Sequence, residues 1–463
     1  MVRSSRTMAT LSVFCVDIGT SSLKSGVVDR TGVAESVDRF PVRLSECRAD
    51  ATCWIEAFDA LARRVDDPSR IGAISVSGNG PTIVPVRADG TPSGVTNVWL
   101  DEREERIAGQ PSYFLPKISW YRRYEPSVYA DTRWFLSCPE YVDHFLTGAA
   151  VTIVPTEDFA PYYWTRDSVA AYGIDAERLP PVVSPGSEIG TGLRAELADR
   201  WDMRRGIPVF GAGPDFLMSL LGTGAVHPGR TCDRAGTSEG INYCSDTRVD
   251  DARVRTLPHV VPGYHNVAGI LSSTGRLFEW LREITGQTQR SYVDMLEEIR
   301  DVADDSLPAF FPSIHAGARW EFSRGVFVGL GAEHGAAEIG HAVVEAIGYS
   351  VREGIEILEE IVGSLDEIRV CGGQAKNPVW NQMKADITGK ILAVPEVLDA
   401  ELVGNACVAY SGLGVYSDPQ TAADEMVRIS RRVLPDDSRF RGYESRYRRY
   451  IEMQERIGTA LAE

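Results

Sequence analysis

The tripeptide Gly-Thr-Ser occurs twice in this chain, at residues 19–21 and 236–238, and each copy lies beside a β-like run. An apolar run that ends in small and hydroxyl-bearing residues is typical of a strand that enters a tight turn. Two such turns, one in each half of a 463-residue chain, predict a duplicated strand-and-turn unit. A chain of this length also fits two large domains better than a single core.

Strand and helix patterns alternate through both halves. The segments SVFCVDIGT and SGVVDRTGVAESV predict strands, with turn residues at Asp29–Gly32. In the second half, residues 337–362 carry apolar positions at close to a four-residue spacing, which predicts one long core-facing helix. The segment DEIRVCGGQAKNP predicts a strand, a Gly-Gly turn and a helix that begins at Pro378. The alternation predicts an α/β fold, and a polar cluster at residues 245–251 indicates the domain boundary.

Composition narrows the class of protein. Hydrophobic residues make up 43% of the chain and charged residues 24%, as in globular proteins. The formal net charge of −17 disfavours nucleic acid and anionic lipid as partners. The sequence has no apolar run long enough to span a membrane and no apolar signal core at its start, which predicts a cytoplasmic protein. Eight cysteines without a C-x-x-C pair predict reduced, mostly buried thiols.

Asp17 ends the first predicted strand, and Gly19, Thr20, Ser21 and Lys24 follow it. Small residues let backbone N–H groups approach phosphate oxygens, hydroxyls add hydrogen bonds, and a carboxylate can hold Mg²⁺. These residues therefore predict a site for a metal-chelated phosphate. The same letters also fit an ordinary hairpin turn. No Walker loop and no dinucleotide-binding glycine motif after a strand occurs in the chain.

Asp215 lies in the segment GAGPDF, after a predicted strand. Transfer of a phosphoryl group to an alcohol requires a group that accepts the hydroxyl proton, and a carboxylate at a cleft edge serves this purpose. An N-terminal cap of the following helix explains the residue equally well. Sequence spacing leaves both interpretations open.

Gly372, Gly373 and Asn377 follow the apolar strand of the second half. A Gly-Gly bend lets a flat adenine ring lie against the backbone without a clash at Cβ. A strand-to-helix turn with Pro378 in the first helical turn accounts for the same residues. Both interpretations stay open at this point.

Taken together, seven segments resemble the FGGY carbohydrate kinases, the family of xylulose, gluconate, glycerol and related kinases. The resemblance runs from about residue 11 to residue 430, with the motifs in the family's order. The segments are VDIGTSSLK, VWLDER, the helical stretch with P-K-x-x-W and L-T-G, GAGPD, RAGTS, GVFVGLGAEHGAAEIGHAVVEAIGYSVRE and CGGQAKNPVWNQMKADITGK.

The resemblance implies ATP and Mg²⁺ as cofactors, Asp17 as the metal-binding residue and Asp215 as the catalytic base, in contact with the substrate. It implies that the nucleotide is bound by Thr20, Ser21, Lys24, Gly236, Thr237, Gly275, Gly373 and Asn377. It also implies that the sugar is bound by Asn79, Asp101 and Arg103.

Two departures from the family pattern concern the acceptor. The xylulose-kinase-like branch carries Gly-Gln-Met-His-Gly where this chain has residues 78–82, Gly-Asn-Gly-Pro-Thr, so the usual histidine is absent. Phe216 follows Asp215, where Asn or Gln is common in the family. A less hydroxylated or bulkier acceptor is therefore one hypothesis for this chain.

The sequence thus predicts two actin-like (ribonuclease H-like) domains with a cleft between them. Residues 1–248 are expected to carry the acceptor site, the first phosphate hairpin and the base, and residues 249–463 to bind the nucleotide. The expected reaction is ATP-dependent phosphorylation of a hydroxyl of a small sugar, sugar acid or polyol, with xylulose as the default acceptor.

Two alternatives stand beside this prediction. One is a nucleotide-dependent regulatory or binding protein on the same fold, which has lost catalysis with its changed acceptor loop. The other is an actin-like filament subunit. The helical stretches at residues 113–146 and 439–458 either form a homodimer face or pack on their own domains.

Overall fold

The computed structural model describes residues 11–236, 238–271, 274–302, 307–313, 322 and 324–461 of an α/β protein. Its strands, in chain order, are β1 (Ser12–Ile18), β2 (Ser22–Val28), β3 (Ala34–Pro41), β4 (Ile71–Gly78), β5 (Val84–Val86), β6 (Trp134–Leu136), β7 (Thr152–Ile153), β8 (Val182–Val183), β9 (Val209–Pro214), β10 (Thr231–Ala235), β11 (Glu239–Ser245), β12 (Arg255–Pro258), β13 (His265–Leu271), β14 (Ala309–Phe311), β15 (Val326–Val328), β16 (Glu367–Cys371), β17 (Ile391–Pro395) and β18 (Ile429–Val433).

The α-helices are α1 (Leu44–Ala49), α2 (Thr52–Ala62), α3 (Leu115–Tyr124), α4 (Pro126–Asp131), α5 (Cys138–Thr147), α6 (Ala160–Tyr163), α7 (Arg166–Tyr172), α8 (Ala195–Arg200), α9 (Asp215–Gly222), α10 (Thr274–Ile284), α11 (Tyr292–Arg300), α12 (Ala336–Val362), α13 (Pro378–Thr388), α14 (Ala400–Gly412), α15 (Pro419–Met426) and α16 (Asp437–Leu461). Short 3₁₀ turns lie at Pro68–Arg70, Glu157–Phe159, Ala176–Arg178 and Gln374–Lys376. No helix of the described segments is both long enough and apolar enough to cross a membrane.

Contacts group the described chain into two compact units. Unit 1 comprises the described residues of Met1–Val226, Pro258–Gly263 and Ala400–Val427. Unit 2 comprises those of His227–Leu257, Tyr264–Asp399 and Arg428–Glu463. The chain therefore returns to unit 1 after Asp399, so that α14 and α15 belong with the N-terminal strands.

Unit 1 contains a five-stranded sheet in the order β3-β2-β1-β4-β9. The first two pairings, β3 with β2 and β2 with β1, are antiparallel, and β1, β4 and β9 run parallel to one another. β1 is buried along its whole length, as expected for a strand covered on both faces. Trp54 and Phe58 of α2 and Phe14 of β1 lie in the buried core beside this sheet.

Unit 2 contains a seven-stranded sheet in the order β12-β13-β11-β10-β16-β17-β18. From β13 to β17 the pairings are two antiparallel followed by two parallel, the same succession as in unit 1. The duplicated strand-and-turn unit that the repeated tripeptide predicts is therefore present in the two sheets.

Two long helices cover part of unit 2. α12 carries the predicted four-residue spacing, and its apolar side chains at Val343, Ile347, Val351 and Ile355 are buried. Along α16, three tyrosines are buried in the core that also contains α12, namely Tyr443, Tyr447 and Tyr450. The Tyr450 hydroxyl donates a hydrogen bond to the Phe310 carbonyl oxygen at 3.0 Å. This face of the C-terminal helix therefore packs on its own unit.

Within unit 1, the backbones of α14 and α9 lie in direct contact. A Cβ atom added to Gly404 would lie 2.1 Å from the Met218 carbonyl oxygen of α9, and one added to Gly222 would lie 1.8 Å from the Ala400 carbonyl oxygen. Asn405 donates a hydrogen bond from Nδ2 to the Val16 carbonyl oxygen of β1 at 2.9 Å. Glycine at both crossing points is what allows the two helices to touch.

We therefore expect Gly404→Ala to lower the free energy of unfolding of unit 1 by about 1–3 kcal/mol, since the added methyl group must push α14 off α9. Urea denaturation followed by near-ultraviolet circular dichroism measures the change. Gly458→Ala in α16 is the matched control, because an added Cβ there meets no atom within 4 Å. Equal stability of the two variants would contradict the close packing.

Candidate active site

Three predicted site residues follow three parallel strands. Asp17 lies near the end of β1, Asn79 directly follows β4, and Asp215 directly follows β9. Because β1, β4 and β9 are parallel neighbours, their carboxyl ends lie at one edge of the sheet of unit 1. In open α/β sheets, ligands bind outside this edge.

The Asp17 carboxylate is buried beneath the first hairpin. Ser77 donates a hydrogen bond to its Oδ1 atom at 2.9 Å, and the Lys24 Nζ atom lies 4.0 Å from its Oδ2 atom. Burial and the nearby charge of Glu401 raise the pKa of Asp17 to about 8, Lys24 lowers it, and Asp215 contributes a further increase. The negative charge of this carboxylate is therefore costly in the absence of a bound cation.

The first hairpin turns between β1 and β2 at Gly19, whose N–H donates to the Ser22 carbonyl oxygen at 3.0 Å. Thr20 is half-buried and Ser21 is exposed at the turn. Their hydroxyls are not engaged by side chains of the described residues, and they are available to phosphate oxygens.

Asp215 begins α9, directly after the extended Pro214. Ser219, one turn further along α9, places its hydroxyl 3.1 Å from the Asp215 carbonyl oxygen and 3.0 Å from Glu401 Oε1. Burial is the main cause of the raised pKa of Asp17 and of the Cys138 thiol, and the charge of the half-buried Asp215 side chain raises both further.

Asn79 uses its side chain to fix the end of β4. Its Nδ2 group donates to the Ile18 carbonyl oxygen at 3.0 Å, and its Oδ1 atom accepts from the Thr82 hydroxyl at 2.9 Å. The Thr82 hydroxyl also accepts a hydrogen bond from the backbone N–H of Trp99 at 3.1 Å. This contact connects the loop after β4 to the loop that carries Asp101.

Asp101 and Arg103 bind one another. Arg103 donates from Nε to both carboxylate oxygens at 2.9 Å and from Nη2 to Oδ2 at 2.5 Å, and its guanidinium lies 4.8 Å from the ring centroid of Trp120. Burial alone would raise the pKa of Asp101, but the hydrogen bonds from Arg103 outweigh it and lower the pKa. Arg48 adds a second cation, with its Nε atom 3.1 Å from Asp101 Oδ2.

Lys117, the lysine of the P-K-x-x-W motif, holds the loop that carries Asp101 by hydrogen bonds. Its buried ammonium donates to Asn97 Oδ1 and to the carbonyl oxygens of Val98 and Asp101, at 2.8–2.9 Å. Burial lowers the pKa of Lys117 to about 8. Three hydrogen bonds use all three of its donors, which makes it a structural residue of the loop.

In unit 2, Gly236, Gly275 and Gly373 converge through a side chain that the sequence reasoning missed. The Gln374 amide donates to the Gly236 carbonyl oxygen and to the Thr274 hydroxyl, both at 3.1 Å. Its oxygen accepts from Trp380 Nε1 at 2.9 Å. The second hairpin, the first turn of α10 and the Gly-Gly turn are thereby held together, while Thr237 lies outside the described residues.

The two glycines of the Gly-Gly turn differ in their surroundings. Gly372 has φ +87°, and a Cβ atom there would lie 2.4 Å from the Ala235 carbonyl oxygen. Gly373 is exposed, and a Cβ atom there would meet nothing within 4 Å. Gly372 is therefore required by the fold, and Gly373 leaves open space in which a flat ring can lie.

Asn377 is the N-terminal cap of α13, as expected if these residues form an ordinary strand-to-helix turn. Its Oδ1 atom accepts from the backbone N–H groups of Val379 at 2.9 Å and Trp380 at 3.2 Å. Its buried Nδ2 group has no hydrogen-bond partner among the described residues. This unused donor leaves room for a ligand contact beside the capping role.

A buried ion triad supports the second hairpin. Lys384 of α13 donates to Asp233 Oδ2 at 2.5 Å and to Glu239 Oε1 at 2.6 Å, from the two strands that flank the turn. Burial alone would lower the pKa of Lys384, but the two carboxylates raise it. The turn is therefore anchored by charge in a region that excludes water.

The residues of unit 1 fit Mg²⁺ that arrives with its own phosphate ligands. Within the described part of the chain, no three acidic, histidine or cysteine side chains form a ready-made metal cage. Mg²⁺ bound by nucleotide phosphates and water needs only one or two protein carboxylates. Asp17, which is buried and lacks a full countercharge, suits this arrangement.

One cysteine prediction is wrong. Cys47 and Cys53 form a disulfide, with their Cα atoms 5.4 Å apart, and the other six cysteines are buried without a disulfide bond. The tight turn between α1 and α2 brings the two residues within bonding reach. Their spacing of six residues is not a C-x-x-C pair, and for that reason the sequence pattern did not reveal it.

Comparison with known proteins identifies the family. A profile described as the N-terminal domain of the FGGY family of carbohydrate kinases matches residues 104–222, and the profile of the C-terminal domain matches residues 234–413. Together they match more than half of the chain. The chain belongs to the FGGY family of carbohydrate kinases.

Individual relatives agree with this assignment. A xylulose kinase of Staphylococcus epidermidis is 25% identical, and the match covers 95% of each chain. A xylulose kinase of Escherichia coli K12 is 24% identical over 96% of this chain and 99% of its own. The crystal structure of a xylulose kinase from Rhodospirillum rubrum matches 98% of this chain and 100% of its own, with a TM-score of 0.77 and 21% identity.

The predicted actin-like α/β fold and the predicted activity are thereby confirmed: the chain is a carbohydrate kinase that uses ATP as a substrate to phosphorylate a small sugar. Nothing in the comparisons favours the regulatory alternative. The individual roles of the site residues stay predictions.

The raised pKa of Asp17 predicts a pH-dependent stability. Because the folded state keeps the proton up to about pH 8 while the unfolded chain releases it near its ordinary pKa of 3.8, unfolding becomes easier as pH rises between these values. We expect Asp17→Asn to remove this loss, so its stability relative to the unchanged protein increases from pH 5 to pH 8.

The slope of this difference is at most about 1.4 kcal/mol per pH unit. Urea denaturation in buffer without metal and nucleotide measures it. Asp101→Asn is the control, because the lowered pKa of Asp101 makes its charge stabilising, and the stability lost in this variant stays constant between pH 5 and pH 8 and changes only near and below the ordinary pKa of 3.8. A stability difference between Asp17→Asn and the unchanged protein that does not vary with pH would contradict the prediction.

Proposed function

We propose that this chain transfers the γ-phosphoryl group of Mg²⁺-bound ATP to a hydroxyl of a pentulose, with xylulose as the first candidate. The observation that supports this most is the meeting of Asp17, Asn79 and Asp215 at the carboxyl edge of β1, β4 and β9. The names of two curated relatives that match nearly the whole chain, both xylulose kinases, support the choice of acceptor.

Asp215 is the proposed general base. Its half-buried carboxylate at the start of α9 accepts the proton of the acceptor hydroxyl as the oxygen attacks the γ-phosphorus atom. The new bond joins the sugar oxygen to phosphorus, the bond between phosphorus and the β–γ bridging oxygen breaks, and ADP leaves. Asp17 is proposed to bind the metal, which when present neutralises charge on the transferring phosphoryl group.

The chain's other proposed nucleotide contacts hold the phosphates and the base. Backbone N–H groups and hydroxyls of the hairpin at Thr20 and Ser21, with the Lys24 ammonium, donate to phosphate oxygens. In unit 2 the turn at Gly236 is proposed to do the same. The adenosine is proposed to lie in the open space beside Gly373. The side-chain amide of Asn377, whose Nδ2 group has no hydrogen-bond partner among the described residues, is proposed to donate a hydrogen bond to it.

The acceptor loop supports a narrower hypothesis about the sugar. Asn79 uses both ends of its amide on Ile18 and Thr82, and Phe216 stands beside the base where relatives of the family carry a polar side chain. Fewer polar groups then face the acceptor, which favours a less hydroxylated or bulkier sugar than xylulose. A cytoplasmic location and a homodimer also stay predictions.

We expect Asp215→Ala to reduce sugar-dependent ADP release by about 10²–10⁴-fold, since the base is lost, with little change in ATP binding. A panel of ketoses, aldonates and polyols in an ADP-release assay, together with calorimetric titration of ATP, measures both effects. Asp199→Ala is the matched control, because Asp199 is an exposed carboxylate paired with Arg205. Turnover retained in Asp215→Ala would remove this residue from the role of base.

A second test concerns adenosine. Gly373→Val should raise the KM for ATP about tenfold or more, because the side chain enters the space left for the ring, a cost near 1.4 kcal/mol. The KM for the sugar and the stability should not change. Gly372→Ala is the contrasting variant, since the strained φ and the Ala235 contact predict loss of stability instead. An unchanged KM for ATP in folded Gly373→Val would contradict the assignment.

A further inference from the structure

Gln374 directly follows the Gly-Gly turn, and the proposed mechanism does not use its side chain. The residue begins the short 3₁₀ turn Gln374–Lys376 and is half-buried. Glutamine at the surface usually ends in solvent, so the sequence alone indicates only a polar residue in a turn. In the structure its amide has three hydrogen-bond partners.

The three partners determine the orientation of the Gln374 amide. Trp380 Nε1 can only donate, so the amide oxygen must face it, at 2.9 Å. The Gly236 carbonyl oxygen can only accept, so the amide nitrogen must face it, at 3.1 Å. The nitrogen also donates to the Thr274 hydroxyl oxygen at 3.1 Å. A flipped amide would lose the first two hydrogen bonds, and the side chain is therefore held in one orientation.

These contacts connect turns that come from distant parts of the chain. Gly236 lies in the second hairpin, between β10 and β11, and Thr274 is the first residue of α10. Gly373, which leaves open space proposed for adenine, is the immediate neighbour of Gln374. The side chain thus connects the turn proposed to hold phosphate to the turn proposed to hold adenosine.

The strands below the two turns are held together without Gln374. β10 and β16 pair in parallel as far as Arg234 and Cys371. Lys384 of α13 binds carboxylates on both strands of the second hairpin. Both turns lie beyond the last paired residues, and there the Gln374 amide is a side-chain link between them. Loss of the amide should therefore loosen the two turns relative to one another and leave the sheet in place.

A nucleotide that reaches from one turn to the other has to fit both turns at once. If the turns move independently, binding must also order one relative to the other, and this ordering weakens binding. A ligand that contacts a single turn does not have this cost. The effect of the link is therefore expected only for a ligand that spans both turns.

We propose that Gln374 is a positioning residue that holds the second hairpin and the Gly-Gly turn at the separation that an adenosine diphosphate group requires. This inference rests on the proposed nucleotide contacts of Gly236 and Gly373. In this role Gln374 touches neither the sugar nor the transferred phosphoryl group. It acts through the backbone at Gly236, and Trp380 orients its amide.

Gln374→Leu removes the amide and keeps a side chain of similar width. Displacement of a fluorescent ADP derivative, with Mg²⁺ and without sugar, gives the dissociation constants of ADP and of adenosine. We expect ADP to bind about tenfold more weakly to Gln374→Leu, since the hydrogen bonds that join the turns are lost. Adenosine lacks the phosphates, and its dissociation constant should stay within about twofold of that of the unchanged protein.

Gln382→Leu is the matched control. Gln382 is a half-buried residue of α13, and it likewise donates two hydrogen bonds, to Asp386 Oδ1 at 2.8 Å and to the Leu434 carbonyl oxygen at 2.9 Å. This variant loses the same number of donated hydrogen bonds and should bind ADP as the unchanged protein does.

Trp380→Phe is the second variant, because it keeps an aromatic ring and removes the N–H group that orients Gln374. ADP should bind more weakly to it as well, to a smaller degree than to Gln374→Leu, and adenosine binding should again change little. Circular dichroism establishes that each variant is folded. If Gln374→Leu does not fold, the two dissociation constants of Trp380→Phe decide in its place.

The inference is overturned if folded Gln374→Leu binds ADP as tightly as the unchanged protein does. It is also overturned if adenosine binding weakens as much as ADP binding, because Gln374 would then be part of the adenosine site itself. An equal loss of ADP affinity in Gln382→Leu would overturn it too, since a general loosening of unit 2 would explain both variants.

The failure of this inference differs from failure of the proposed function. The sugar-kinase proposal fails in the ADP-release assay of the unchanged protein across the acceptor panel. The inference about Gln374 fails in the binding assay, which contains no sugar and requires no turnover.

Discussion

The backbone contact between α14 and α9 is the constraint on which the site of unit 1 depends. Two glycines, Gly222 and Gly404, remove the side chains that would separate the helices, and Asn405 joins α14 to β1. A segment that lies between two strands of unit 2 in sequence, β17 and β18, thereby becomes part of the structure that carries Asp17 and Asp215. Without this contact, Glu401 would have no fixed position near Lys24.

The parallel strands supply the second constraint. Their direction places Asp17, Asn79 and Asp215 at one edge, so that the proposed metal ligand, the acceptor-loop residue and the proposed base come together although they are far apart in the sequence. In unit 2 the same succession of strand pairings is repeated. There the Gln374 side chain connects the second hairpin to the first turn of α10 by two hydrogen bonds. The duplication of the fold thus accounts for the duplicated turn in the sequence.

Sequence reasoning recovered the features that local patterns encode. The spacing along α12, the hairpin at Asp29–Gly32 and the strand before Asp215 are each present, because periodicity and turn chemistry act over a few residues. It missed Glu401, whose partners Lys24 and Ser219 lie hundreds of residues away in the chain, and Gln374, which looks like any polar residue in a turn. It also missed the disulfide between Cys47 and Cys53, which depends on the placement of two helices.

The acceptor loop shows why family membership does not determine the sugar. Arg103 and Asp101 form an ion pair with one another. The side-chain amide of Asn79 is hydrogen-bonded to the Ile18 carbonyl oxygen and to the Thr82 hydroxyl. The Lys117 ammonium donates its hydrogen bonds within the loop, including one to the Asp101 carbonyl oxygen. Polar residues at the family's sugar-binding positions can therefore shape a loop as well as contact a ligand. We therefore expect discrimination among sugars to depend on the groups that stay unengaged and on the residue that follows the proposed base, which is Phe216 in this chain. Because a phenylalanine side chain forms no hydrogen bonds, we expect a change at Phe216 to leave the hydrogen bonds of the loop in place, so that acceptor specificity can change on one fold while the phosphate chemistry stays the same.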